Sequence, residues 1–386
     1  MGSREFISGP NFSGRSRAIH ARAQGFGVPT YFIGPYAEAA LSGLSSTIAD
    51  EIEIYRAKDH PADRPGFRAV VTDPRRKPQT LSGGEQVLLA LHCFSLSAYR
   101  ALAIDTALEQ LDTANRGDAL RYLDANSSFD VVLTDNRTRP PNWNCTQLIA
   151  SETRFICNWD GLRGRLRPQH APAVAIQQLS FGYRPGQDVF SNAAVSLEPG
   201  RAHRLFGPNG SGKTTFLKIL VGALVPRSAQ ITLDGVAYEP WRSGNRALAL
   251  ATQNPDQQWC GATLREDLAR RRAALTNRGD ADALADDRVA ELARDLGVPS
   301  LDQHLYELPL AARIRISWLW PFAGAHPWIM LDEPTVGQDD DTCRELARTL
   351  DALCSAGYGV VFVTHDDAFA SAVPHRVLHV ENRQIS

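Results

Sequence analysis

The nine residues Gly207-Pro208-Asn209-Gly210-Ser211-Gly212-Lys213-Thr214-Thr215 constrain this chain more than any other feature. An apolar run at 202–206 reads as a strand leading in, and 216–221 reads as a helix leading out. A strand, a GxxxxGK[ST] loop and a helix in that order form a phosphate cradle. Its glycines let backbone N–H groups curl around phosphate oxygens, and the helix N-terminus adds its positive end. Lys213 then reaches the β- and γ-phosphates and Thr214 ligates Mg²⁺. The competing reading is a glycine-rich turn that only caps a helix. The flanking strand and helix argue against it.

Two further segments fit the same chemistry. Residues 328–331 form a short apolar strand ending in Asp332-Glu333-Pro334, which delivers adjacent carboxylates to one place. Asp332 suits the metal, often through water, and Glu333 suits polarisation of an attacking water. A strand at 360–363 ends in Thr364-His365-Asp366. A histidine there is either a strand-end cap or a γ-phosphate contact. The second reading is favoured because ligands of open α/β folds bind at this edge of the sheet. Upstream, 174–181 and 193–197 read as strands, with turns at 184–186 and 198–200.

Length and composition bound the rest. A chain of 386 residues, at roughly 150 residues per domain, holds two or three domains. With 43% hydrophobic and 22% charged residues it is of ordinary globular type. A net charge of −2 gives no reason to expect nucleic acid or an anionic lipid surface as partner. The six cysteines are scattered without metal-ligand spacing, as in a reducing compartment. No stretch approaches a membrane span, and no signal sequence is seen, so a cytoplasmic location is expected, with any membrane role passing through a partner. The opening Gly2-Ser3-Arg4-Glu5-Phe6 has the look of a partial cloning remnant. His92-Cys93 reads as core, and Arg270-Arg271-Arg272 as a solvated helix face.

A run dense in Pro and Arg at 137–173 divides the chain, with a short strand expected at 153–158. On either side lies the same ordered set of segments, the sign of a tandem repeat. The expected organisation is a shortened first domain at 1–150, a linker at 151–172 and a second domain at 173–386.

The order GPNGSGKTT, Gln253, IMLDEP and VTHD resembles the nucleotide-binding domain of an ABC ATPase, over 174–386. The resemblance implies an α/β fold of two tandem P-loop domains, each a mostly parallel sheet with a helical subdomain. The antiparallel subdomain is reduced or absent in the first. It also implies ATP and Mg²⁺ as ligands, adenine stacking on Tyr183 (strand core is the other reading), and contact of Gln253 with the metal and the attacking water. Gln338-Asp339 matches the D-loop.

The family's LSGGQ-type signature is missing from the second half, where 309–313 reads Pro-Leu-Ala-Ala-Arg. Without the serine and the glycines this segment is expected to grip a phosphate poorly. The first half supplies an intact signature, Leu81-Ser82-Gly83-Gly84-Glu85-Gln86, opening an apolar helix. Ser82 and Glu85 also form a helix capping box, and the two roles are compatible. Other catalytic positions of the first half are altered. Its loop, Gly9-Pro10-Asn11-Phe12-Ser13-Gly14-Arg15-Ser16, has Arg for Lys, Thr106 stands for the base, and Asp135 stands for the histidine. Pro35 falls near the Q-loop glutamine. Lys213 and Gln253 are 40 residues apart, whereas Arg15 and Pro35 are 20 apart.

These losses are complementary. Head-to-tail pairing, which the resemblance implies, makes one complete site. Lys213, Thr214, Gln253, Asp332, Glu333 and His365 come from the second half, with Ser82, Gly83, Gly84 and Glu85 from the first. Pairing is expected within one chain or between two copies of it. The stretches 253–259 and 263–267 are similar to those of energy-coupling-factor importer ATPases. That similarity implies a membrane-embedded transporter subunit as partner and a peripheral place on the inner face of the membrane. Two alternatives remain open at this stage: a soluble ABC-type ATPase acting as a mechanical switch on a protein or nucleic acid, and an ATP sensor without turnover.

Overall fold

The computed structural model describes residues 2–11, 13–61, 64–67, 73–136, 139–149, 156–167, 169–243, 247–276, 285–323 and 326–386. The chain forms two compact units, Met1–Glu152 and Thr153–Ser386.

The first unit is built on a five-stranded sheet. Its strands are β1 (Arg4–Ser8), β2 (Thr30–Ile33), β3 (Ala101–Asp105), β4 (Asp130–Thr134) and β5 (Asn144–Gln147), in the order β2-β3-β4-β1-β5. All pairs are parallel. Parallel strands are covered on both faces, so they read as continuous apolar runs. Phe6, Leu102, Ile104, Val131 and Leu133 face one core with Phe94 and Phe129. Ile7, Ala103 and Val132 face the other, against Ile19 and Ala23. The latter two belong to α1 (Arg15–Gly25), which is followed by α2 (Ile48–Tyr55), α3 (Gly83–Leu96) and α4 (Thr113–Ala125). The opening residues are part of this sheet: β1 lies between β4 and β5.

The second unit opens with α5 (Trp159–Gly164) and then has two sheets. One is antiparallel, in the order β10-β9-β6-β7, from β6 (Val174–Arg184), β7 (Gln187–Leu197), β9 (Ser228–Leu233) and β10 (Val236–Ala237). The other comprises β8 (Ala202–Phe206), β11 (Leu248–Ala251), β12 (Trp328–Asp332), β13 (Gly359–Val363), β14 (His375–Glu381) and β15 (Gln384–Ile385). Its order is β11-β12-β13-β8-β14-β15, parallel except for the last hairpin. Helices α6 (Lys213–Leu220), α7 (Pro240–Ser243), α8 (Leu264–Thr276), α9 (Asp286–Asp295), α10 (Leu310–Ser317), α11 (Leu319–Ala323), α12 (Asp340–Ser355) and α13 (Asp367–Ala372) complete it. Phe190, Leu205, Phe216, Leu217, Met330 and Val361 belong to the core that joins the two sheets.

The two units share one strand plan. In each, one strand feeds the glycine loop, and β2-β3-β4-β1-β5 corresponds place for place to β11-β12-β13-β8-β14. Among its described residues the first unit has no antiparallel sheet.

Two expectations change, the strand at 156–158 and the solvated Arg271, and the stretch between the units gains contacts. Of the stretch 151–172, read above as a linker, the described residues are docked onto the second unit. The backbone N–H of Asn158 donates to Asp295 O at 2.8 Å, and its side-chain amide donates to Asp295 Oδ1 at 2.9 Å. Arg165 pairs with Asp295 and Glu291, both at 2.7 Å. Residues 156–158 are not a strand, and 153–155 lie outside the described residues, as does Phe12. Arg271 is not a solvated charge. It pairs with buried Asp267 at 2.7 Å and lies 4.6 Å from the Trp320 ring, because its aliphatic stem and flat guanidinium cover apolar surface. Among the described residues no helix is long and apolar enough to cross a membrane, and no cluster of His, Cys, Asp and Glu has metal-site geometry.

Candidate active site

The carboxyl ends of β8, β12 and β13 lie side by side in the six-stranded sheet, and each carries one part of the candidate site. After β8 the chain turns through 207–212. Gly207 is pressed against the Val380 carbonyl, which a Cβ would meet at 2.3 Å. Gly212 has φ +108° and stands against Val189 and Phe190. The tight turn thus needs glycine at both ends. Ser211 N–H donates to Pro208 O at 3.2 Å, and α6 starts at Lys213, so the N-terminus of this helix adjoins the loop. Lys213 is buried, its Nζ donating to Gly207 O at 2.8 Å and Pro208 O at 3.0 Å. Asn209, Gly210 and Thr214 line the same turn, as their sequence positions require.

Tyr183, at the end of β6, is 58% exposed, which removes the strand-core reading. Its hydroxyl lies 3.0 Å from Thr215 Oγ1, and its ring sits edge-on to Phe181 at 5.0 Å. An exposed aromatic face beside the phosphate loop is free to stack a planar base.

Asp332 ends β12 in a fully enclosed position, and neither of its carboxylate oxygens has a hydrogen-bond donor in place. Burial raises its pKa to about 6 and the Glu333 charge adds to this, while the Thr214 hydroxyl and the Lys213 and Lys218 ammoniums pull it down. Two hard oxygens left without donors beside a threonine hydroxyl suit a small divalent cation such as Mg²⁺.

Glu333 adopts φ 51°, uncommon for a residue with a Cβ. The turn is held by its N–H on Val363 O at 3.0 Å, and it brings the side chain back toward β13. Asp332 and Val363 are register partners, so the residues just beyond them meet. The backbone N–H of His365 donates to Glu333 Oε2 at 3.3 Å, and His365 Nε2 lies 3.5 Å from Glu333 Oε1. Both side chains are buried. A carboxylate next to an imidazole can orient and deprotonate a water. Gln253 follows β11, which pairs with β12 on the side away from β13.

Where the family motif would stand, α10 begins at Leu310 and Pro309 before it offers no side-chain cap. Arg313 pairs with Asp256, in the turn after Gln253, at 2.8 Å. Gln338 Nε2 donates to Ala311 O at 3.2 Å, and Asp339 caps α12 by accepting from Thr342 N–H at 2.9 Å. The segment has become an internal fastening. Nothing in its spacing pointed to this, because Asp256 lies 57 residues upstream.

In the first unit, Ser82 caps α3. Its hydroxyl accepts from Glu85 N–H at 3.3 Å, and its own N–H donates to Glu85 Oε2 at 2.8 Å. Arg76 Nη1 holds the other Glu85 oxygen at 2.8 Å. The capping box spends the Glu85 carboxylate, leaving Gly83 and Gly84 without side chains at the helix start. The altered loop of this unit is occupied by its own residues. Arg15 bonds Asn136 and, at 3.3 Å, Asn11. Asp135 is paired with Arg116. Thr106 keeps the left-handed turn of its counterpart Glu333, at φ 56°, without its carboxylate. The side-chain amide of Gln110 donates to Pro35 O. Arg116 and Asn136 were not visible as site residues in the sequence, since only the fold brings Arg116 to Asp135 and Asn136 to Arg15.

Comparison with known proteins adds to this geometry. Residues 190–336 match the family described as ABC transporter. The chain is 31% identical over 214 residues to the cobalt import ATP-binding protein CbiO of Rhodobacter capsulatus, covering 53% of this chain and 74% of that protein. It is 30% identical over 216 residues to the energy-coupling factor transporter ATP-binding protein EcfA1 of Thermotoga maritima, covering 55% and 80%. Among solved structures, a chain of ribosome-bound archaeal Pelota and ABCE1 superimposes with a TM-score of 0.60 at 16% identity. That match spans 98% of this chain and 73% of that one, and shows a shared fold.

Proposed function

The chain belongs to the ABC transporter ATP-binding family, and from that premise we propose that it hydrolyses ATP at one composite site and so energises a membrane-embedded importer of small molecules or ions. The observation that carries the reading is the placement of Lys213, Asp332, Glu333 and His365 at adjoining strand ends, in a unit whose own signature is lost. Support for the second component comes from the capped Ser82-Gly83-Gly84 start of α3.

In this reading the ABC domains run from 1 to about 150 and from 173 to 386. Tyr183 stacks the adenine, and 207–215 wraps the phosphates. Thr214, Asp332 and Gln253 hold Mg²⁺, which when bound neutralises charge on the β- and γ-phosphate oxygens. Glu333 accepts the proton of the attacking water, while His365 and the signature residues 82–85 fix the γ-phosphate. The importer assignment follows the names of the relatives: a cobalt import protein and an energy-coupling factor protein. The coupled partner is then a hydrophobic subunit, and this chain sits peripherally at the membrane.

Substitution tests the site. Glu333→Gln and Ser82→Arg each abolish ATP turnover, whereas Arg15→Ala leaves most of it. Loss of turnover in Arg15→Ala equal to that in Glu333→Gln overturns the asymmetric site. Copurification from detergent-solubilised membranes tests the partner. A comigrating hydrophobic subunit supports transport, and a fully soluble complex favours a mechanical switch instead.

A further inference from the structure

Arg204 lies in the middle of β8, three residues before the phosphate loop, with register partners Phe362 on one side and Val377 on the other. It is 8% exposed. A guanidinium in the interior of a sheet loses hydration that an aliphatic residue there would not need, so its contacts must compensate. They all lead to one place. Nη2 donates to the Thr364 carbonyl at 3.1 Å and to Asp367 Oδ1 at 2.8 Å, and the guanidinium packs 4.9 Å from the Phe206 ring.

The Thr364 carbonyl and the His365 N–H belong to the same peptide group. Arg204 holds that group by its oxygen, and Glu333 Oε2 holds it by its nitrogen at 3.3 Å. A cation on the carbonyl polarises the peptide and strengthens its N–H as a donor. From this geometry we infer that Arg204 is a positioning residue for ATP hydrolysis, setting the Glu333–His365 pair through the Thr364–His365 peptide. Asp367, the first residue of α13, steadies the guanidinium from the exposed end, its side chain being 69% exposed. The contact also ties the strand that feeds the phosphate loop to the loop that carries the histidine.

The inference rests on the proposed hydrolytic site, and its test separates the two. Arg204→Met and Arg204→Lys are compared with Glu333→Gln in the full chain, measuring steady-state hydrolysis and ATP affinity. Arg204→Met lowers kcat about tenfold with the ATP dissociation constant within twofold of the parent, and Arg204→Lys recovers part of the loss. Without nucleotide, amide hydrogen exchange in Arg204→Met accelerates about tenfold at 364–367 and stays unchanged at 207–215. An unchanged kcat, or faster exchange across the whole sheet, overturns the role of Arg204. Persistent turnover in Glu333→Gln refutes the site reading itself. Should Arg204→Met fail to fold, Asp367→Ala loosens the same contact from the surface. It lowers kcat about threefold, and an unchanged kcat there also overturns the proposal.

Discussion

Asp332 carries an electrostatic burden within the fold. Its carboxyl is enclosed, lacks a donor, and titrates near 6 instead of near 4. The folded-state pKa of this acid is raised, so the folded state favours the protonated form. The penalty is absent below about pH 4, grows from pH 4 to 6, and is fully present above that. Asp332→Asn is therefore expected to stabilise the metal-free chain at pH 8 by up to about 3 kcal/mol, while abolishing turnover. Urea denaturation in chelator shows the gain, which shrinks toward zero as the pH is lowered to 4. A gain that persists at pH 4 points to packing instead. The places of Lys213, Asp332, Glu333 and His365 at strand ends were readable in sequence because each sits at a fixed offset from an apolar run. Arg204 was not readable, since one arginine in an apolar run gives no sign of which loop it will reach.

Among the elements, α3 shows how one set of atoms serves two ends. A capping box satisfies the first N–H groups of a helix and leaves the following glycines bare. Replacing Ser82 by Ala removes the hydroxyl acceptor and weakens the helix start by about 1 kcal/mol, so amides at 83–86 exchange about fivefold faster. Replacement by Thr keeps the cap and leaves exchange near the parent rate; equal acceleration in both variants would contradict the capping role. The counterpart α10 has no side-chain cap and is fastened by Arg313 and Gln338. That 309–313 reads Pro-Leu-Ala-Ala-Arg, without the serine and glycines of the family motif, was legible in the sequence. The replacement contact with Asp256 was not, because an ion pair across 57 residues depends on how the chain folds back. The contacts of the stretch 151–172 were hidden for a related reason. Pro and Arg suggest a linker when read locally, yet Arg165 and Asn158 find partners on α9.

For the molecule as a whole, the shared strand order of the two units is the strongest sign of a repeat. In the proposed reading one unit supplies the phosphate loop and carboxylates, and the other supplies the signature. The single-site reading predicts a stoichiometry. Equilibrium dialysis with Glu333→Gln, which binds without turnover, is expected to find one ATP per chain, and two per chain would overturn it. The first unit's loop supports this number, because Arg15 spends its donors on Asn11 and Asn136, where a phosphate would need them.

The sequence by itself determined the phosphate loop, the two carboxylates, the histidine and the intact signature, because each is a local pattern whose chemistry follows from a few neighbouring residues. It also determined the strand–loop–helix order around 207–215, through the apolar runs on either side. Tertiary structure alone decided which distant groups meet. It brought Arg204 to the Thr364 carbonyl, Arg313 to Asp256, and Arg116 to Asp135. Such contacts depend on strand register and helix docking, which are set by burial across the entire core and leave no mark at the positions they join.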